Sequence, residues 1–232
     1  MRLFLKAALV LVVAANPVLA QQINNAPRGS TVFVSSFGRF AGGAGSDYGQ
    51  TFTVPAGFNE LDRFSFMLGG AGSPDNGANL QFRAYITAFN AGSSTAGSVL
   101  FTSALTSGVS GNALRSFAFN TGGIAVTAGT KYFAFVDASD YTPPSGTSAA
   151  MGSDYTAAPY AGGEFCYNNG INGNFSNTQT VSWACGKSDI AFTASFSNAA
   201  VVATPEPATL VLLGSGLLGV IGISRRKRSQ IS

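Results

Sequence analysis

Histidine is absent from all 232 residues. Without it the chain cannot assemble a Ser-His-Asp or Cys-His nucleophile, nor a zinc site built on imidazoles, so most hydrolase mechanisms are excluded. Charge is scarce as well, Asp, Glu, Lys and Arg together making up 10% of the chain. Six of the thirteen cations, Arg2, Lys6, Arg225, Arg226, Lys227 and Arg228, stand in the terminal segments, which leaves seven basic and nine acidic residues between Gln21 and Ala203. A mildly acidic stretch with no basic cluster has no electrostatic footprint for nucleic acid. Gly186-Lys187-Ser188 resembles the end of a phosphate loop, but Val181 stands where the first glycine would be needed. Cysteine is limited to Cys166 and Cys185, and no amphipathic helical pattern persists for three turns between residues 21 and 203.

What the chain does have is most explicit at its ends. A basic start at Arg2 and Lys6, an apolar run from Ala7 to Ala15 and the small-residue step Val18-Leu19-Ala20 have the order of a secretory signal peptide. Signal peptidase is expected to cut between Ala20 and Gln21, so residues 1–20 are leader. At the other end, residues 208–224 are uncharged and largely apolar, and Arg225, Arg226, Lys227 and Arg228 close them. A helix over the sixteen residues from Ala208 to Ile223 would be about 24 Å long, somewhat short of a ~30 Å hydrocarbon core, with flanking residues completing the span. The four cations hold residues 225–232 on the cytoplasmic side and leave residues 21–203 outside. The glycines of the span, with Ser215 and Gly219 at small-xxx-small spacing, suit either close helix contact or ordinary membrane-helix composition. Ahead of the span, residues 204–207 contain Pro205, Glu206 and Pro207, whose two prolines hold the backbone extended and accessible to a protease.

The order Pro205-Glu206-Pro207, glycine-rich apolar helix and Arg225-Arg226-Lys227-Arg228 resembles the PEP-CTERM sorting signal of Gram-negative and related bacteria. The resemblance covers about the last thirty residues. It implies recognition of Pro205, Glu206 and Pro207 by an exosortase-type membrane protease, with Arg225 to Arg228 as retention signal. The helix would then be a temporary anchor on the way to the cell surface or extracellular matrix. A GPI signal would end apolar, and a Gram-positive sortase signal would need Leu-Pro-x-Thr-Gly.

Residues 21–203 are enough for one domain with a substantial core. Period-two alternation predicts strands near 32–37, 50–54, 64–68, 80–89, 99–105, 114–119, 131–137 and 190–196, with Gly-, Pro-, Asn- and Ser-rich turns between them. The expectation is all-β, a single antiparallel β-sandwich and preferably a jelly roll. Two cysteines in an exported domain predict a Cys166–Cys185 disulfide. Phe117-Ala118-Phe119, the stretch from Val126 to Phe135, and Trp183 ahead of Asp189 to Phe192 are similar to sandwich domains found before PEP-CTERM tails, which resemble carbohydrate-binding modules.

Candidate chemistry inside the domain is thin. Glu60 and Asp62, two apart on a strand, would share a face about 6.6 Å apart, near the spacing of an inverting glycosidase; charged residues at a strand start are also simply solvated. Asp47, Asp75, Asn76, Asp137 and Asp140 could bind a structural Ca²⁺ or stabilise turns; no other cofactor is expected. Tyr160, Tyr167 and Trp183, among the asparagines of 155–183, could hold a sugar, or pin a long loop to the core. The expected role is non-enzymatic: a structural or adhesive surface protein. The alternative is a carbohydrate-binding module on exopolysaccharide, with a glycosidase a distant third.

Overall fold

The computed structural model describes residues 20–25, 33–39, 45–70, 77–109, 111, 113–139, 147–154, 160–169, 175–186 and 188–199. The leader before Ala20, Pro205 to Pro207, the apolar segment 208–224 and the basic tail lie outside them, as do Asp75, Asn76 and Asp140. Among the described residues no helix is long and apolar enough to cross a membrane.

The described chain is antiparallel β with one six-residue helix, α1 (Phe175–Thr180). The first of its two sheet regions is built on β4 (Glu60–Gly69). One side of β4 pairs with β14 (Phe192–Ser197), which in turn pairs with β1 (Gln21–Asn24). The other side pairs with β8 (Arg115–Ala125). The second region runs β6 (Thr95–Thr102), β5 (Gln81–Asn90), β9 (Lys131–Asp137), β3 (Gly45–Thr53), β11 (Phe165–Asn168) and β12 (Ala184–Gly186). Two strands join the regions at one corner. β2 (Phe33–Arg39) pairs with β10 (Thr147–Asp154) and, through Gly38 and Arg39, with the start of β3. β10 reaches β4 at Leu68 and Gly69. Short β7 (Thr106–Ser107) and β13 (Asp189–Ile190) attach to β5 and β10. The sheet therefore curls on itself at β2 and β10, while β8 and β6 end it on the other side with no further strand among the described residues.

Alternation decides what each face buries. On β9, Tyr132, Ala134 and Val136 face the main core, with Phe52 of β3, Phe82 and Ile86 of β5, Phe64 and Phe66 of β4, and Phe192 and Phe196 of β14. Phe133 and Phe135 face the opposite way, into a second cluster with Tyr85, Ala96, Cys166 and Trp183. β9 is thus buried on both faces, which is why Lys131–Asp137 reads as a near-continuous apolar run. Gly49, between those two rings, has no room for a side chain: a Cβ there would run into the Ala134 carbonyl and the Phe133 and Phe135 side chains.

Candidate functional site

Residues 165–169 and 175–186 form the cover over the second apolar cluster, and two of the sugar-binding candidates, Tyr167 and Trp183, lie in it. β11 adds to β3 with Cys166 opposite Gly49, and β12 returns alongside with Cys185 opposite Cys166. The two sulfurs form a disulfide across that pair, with Cα atoms 4.1 Å apart. Between the two strands, α1 and Trp183 close over the sheet. The indole stands edge-on to Phe133 at 4.7 Å between centroids and tilted to Phe135 at 5.2 Å. Its Nε1–H donates to the Thr178 carbonyl at 3.0 Å.

The structure distributes the three aromatic candidates among different roles. Trp183, 2% exposed, offers no face to a ligand; it is the keystone of the second cluster, and as a sugar platform it is corrected to a core residue. Tyr160 packs edge-on against Phe192, on the main core instead. Its hydroxyl donates to the Thr53 carbonyl at 3.2 Å and lies 3.3 Å from the Thr53 amide. Burial pushes the Tyr160 pKa up, the Thr53 hydrogen bond pulls it back, and the nearby Asp189 charge raises it. Only Tyr167 presents a ring, 39% exposed, stacked on Phe165 at 5.8 Å and edge-on to Tyr48 at 6.5 Å.

Carboxylates are held inside the fold rather than in an open site. Asp189 accepts from Gln50 Nε2 at 2.5 Å and from the Tyr160 amide at 2.6 Å, while Gln50 Oε1 accepts from the Ile190 amide at 3.1 Å. This buried linkage ties β13 to the inner face of β3, with each polar group satisfied as its burial demands. Nothing in the strand alternation marks Gln50 for that role.

Asp47 and Asp137 meet on the outer face, at the end of β3 and β9. Both are buried, and they share a hydrogen bond. Thr178 Oγ1 donates to Asp47 Oδ2 at 3.5 Å, and the Ser139 amide donates to Asp137 Oδ1 at 2.6 Å. Desolvation first, and then the Asp137 charge and hydrogen bond, hold the Asp47 carboxyl well above the usual carboxylate range. These two of the five Ca²⁺ candidates come together. Among the described residues no group of three or more His, Cys, Asp or Glu side chains is placed to hold a metal ion.

Glu60 and Asp62 do share a face: Ser197 Oγ donates towards Glu60 Oε2 at 3.3 Å and Asp62 Oδ1 at 2.8 Å. That hydroxyl on β14 fixes the end of the strand against β4. Away from all of these groups, a cleft of about 300 Å³ opens between β6 and β8, floored by Phe101, Phe117 and Phe119 with Ser103, Thr106 and Asn120 around it. Sequence reading missed it, because the cleft exists only where the two sheet ends face each other.

Comparison with known proteins bears chiefly on the tail. Residues 203–228 match the PEP-CTERM protein-sorting motif. The match supports the reading of the tail as the sorting signal of an exported, exosortase-processed protein that passes through the membrane to the surface. No curated protein matches the chain. Among solved structures, one with likeness holds the cysteine protease and lectin-like domains of Cwp84, a surface layer associated protein of Clostridium difficile. It is 12% identical with a TM-score of 0.45, over 67% of this chain and 33% of that one. Another is clostridial Cwp84 after propeptide cleavage, 11% identical with a TM-score of 0.49, over 78% of this chain and 40% of that one. The chain therefore spans between a third and two fifths of those proteins.

Proposed function

We infer, from the sorting tail as premise, that this chain is a non-enzymatic surface or extracellular-matrix protein with a structural or adhesive role. Residues 208–224 serve as its temporary membrane anchor, and cleavage near Pro205 to Pro207 releases the domain. The observation that carries this reading is the sorting-motif match over residues 203–228. Two features of the domain support it. The Cys166–Cys185 bond suits an oxidising compartment. The paired carboxylates Glu60 and Asp62 are engaged by one strand hydroxyl rather than set around an open cleft. Replacing Pro205, Glu206 and Pro207 together by alanine is expected to leave a full-length, membrane-retained protein. Normal trimming and release of that variant would sink the assignment.

A second reading, binding of exopolysaccharide, rests on Tyr167, whose exposed ring backed by Phe165 and Tyr48 is the flat apolar surface that a pyranose face stacks on. Pull-down of the wild-type chain on extracellular polysaccharide, lost in Tyr167→Ala, is the result this reading expects. Equal retention of the two proteins would remove it.

A further inference from the structure

The open side of the curled sheet has three properties that belong together. First, among the described residues β8 and β6 are edge strands, and no strand pairs with the outer edge of Ser116–Asn120 or of Val99–Thr102. Second, the core shows through between them at the Phe101, Phe117 and Phe119 cleft, and three of the four exposed large apolar side chains of the described residues, Val99, Leu100 and Leu105, belong to the same stretch of chain. Third, between Arg83 and Lys131 the only charged residue is Arg115. Free edges are normally blunted by lysine, proline or a bulge. β8 has no proline and no lysine, and its register breaks only between Asn120 and Ile124, where Gly122 and Gly123 are at positive φ, past the residues that line the cleft.

We propose that this side is a self-association surface, on which a second copy of the chain pairs its own β8 antiparallel to β8. The alternating N–H and C=O groups of a free edge are met by another strand edge, and this molecule carries one with matching chemistry. Neutrality makes the surface self-complementary: with the two-fold axis at Ala118, each Arg115 falls opposite Thr121 of the partner strand, and no like charges meet. A two-fold contact of this kind uses the same patch on both copies. The pairing continues the sheet from one molecule into the next and covers the mouth of the cleft. A shared membrane tether would favour the encounter by raising the local concentration. The surface is independent of the sorting signal, so either can fail alone.

Cross-linking on intact cells tests the pairing at the residue where it is tightest. Ala118 is exposed, and in the paired arrangement it lies opposite its own copy, so Ala118→Cys is expected to give an intermolecular disulfide dimer under mild oxidation. Ala91→Cys, in the exposed β5–β6 turn, is the control expected to give none. Ala118→Lys places two like charges opposite each other and is expected to weaken dimerisation of the processed protein about tenfold or more in sedimentation, with its circular dichroism unchanged. Should Ala118→Lys misfold, Ala118→Glu, which again places two like charges opposite each other, replaces it. No excess of dimer from Ala118→Cys over the control, or association indifferent to the edge charge, overturns the proposal. So does a cleft that retains neutral polysaccharide while the protein stays monomeric.

Discussion

Asp47 sets burial against charge at a single side chain. Its folded-state pKa is raised, by burial first and then by Asp137, so the folded chain holds a proton that the unfolded chain releases near its ordinary value of about 4. For an acid shifted upward, the stabilising contribution is complete below the unfolded pKa and is lost as pH rises towards the folded one. Stability is therefore expected to fall as pH rises above about 4, in buffer containing chelator. Asp47→Asn keeps an amide donor for Asp137 and cannot ionise, so it should flatten that pH profile and raise the melting temperature at neutral pH. Thermal melts across the range check this; a wild type whose melting temperature climbs steadily to pH 7 would contradict the assignment. Gly49 expresses a different constraint. Gly49→Ala forces a methyl group between Ala134, Phe133 and Phe135 and is expected to cost about 1–3 kcal/mol, read as a lowered denaturation midpoint.

Among the elements, the stapled cover from β11 through α1 to β12 depends most on its covalent link. The bond closes a loop of sequence separation 19, worth about 3 kcal/mol in the chain-entropy account. Reduction, or Cys166→Ser with Cys185→Ser, should loosen this cover first, because it holds Trp183 over Phe133 and Phe135 while the main core is closed by other strands. Loss of near-ultraviolet tryptophan dichroism ahead of far-ultraviolet β signal is the expected order; simultaneous loss would show the cover to be no separate unit. The sequence showed part of this architecture. Lys131–Asp137 was legible at its full length, since Tyr132, Phe133, Phe135 and Val136 fill both faces. Thr147–Asp154 was not, because Thr-Ser-Ala-Ala-Met-Gly-Ser-Asp has too little apolar bulk to alternate, and its strand character comes from pairing with β2 and β4. Strand order was illegible for a similar reason: alternation assigns a residue to a face, but the corner made by β2 depends on partners distant in sequence. Trp183 misled because one tryptophan among asparagines looks like a binding surface, whereas Phe133 and Phe135 need a large ring to cover them.

At the scale of the whole molecule, the features that direct the chain and those that fold it are kept apart. Net positive charge is concentrated in the terminal segments, and residues 21–203, with seven basic and nine acidic side chains, are close to neutral, glycine-rich and aromatic. Such a domain can pass through an export channel, close a disulfide outside, and present uncharged strand edges at the surface. The sorting signal was legible in the sequence because a motif of Pro205, Glu206, Pro207, an apolar run and four cations is linear. The candidate association surface was not, because Phe101 and Phe117 become neighbours only across the open side of the sheet. Intact-mass measurement of the chain recovered from the cell surface tests the account most directly. A species beginning at Gln21 and ending near Pro205 to Pro207, without the apolar segment and its four cations, is the expected result. A surface chain that still carries Arg225 to Arg228 would contradict it.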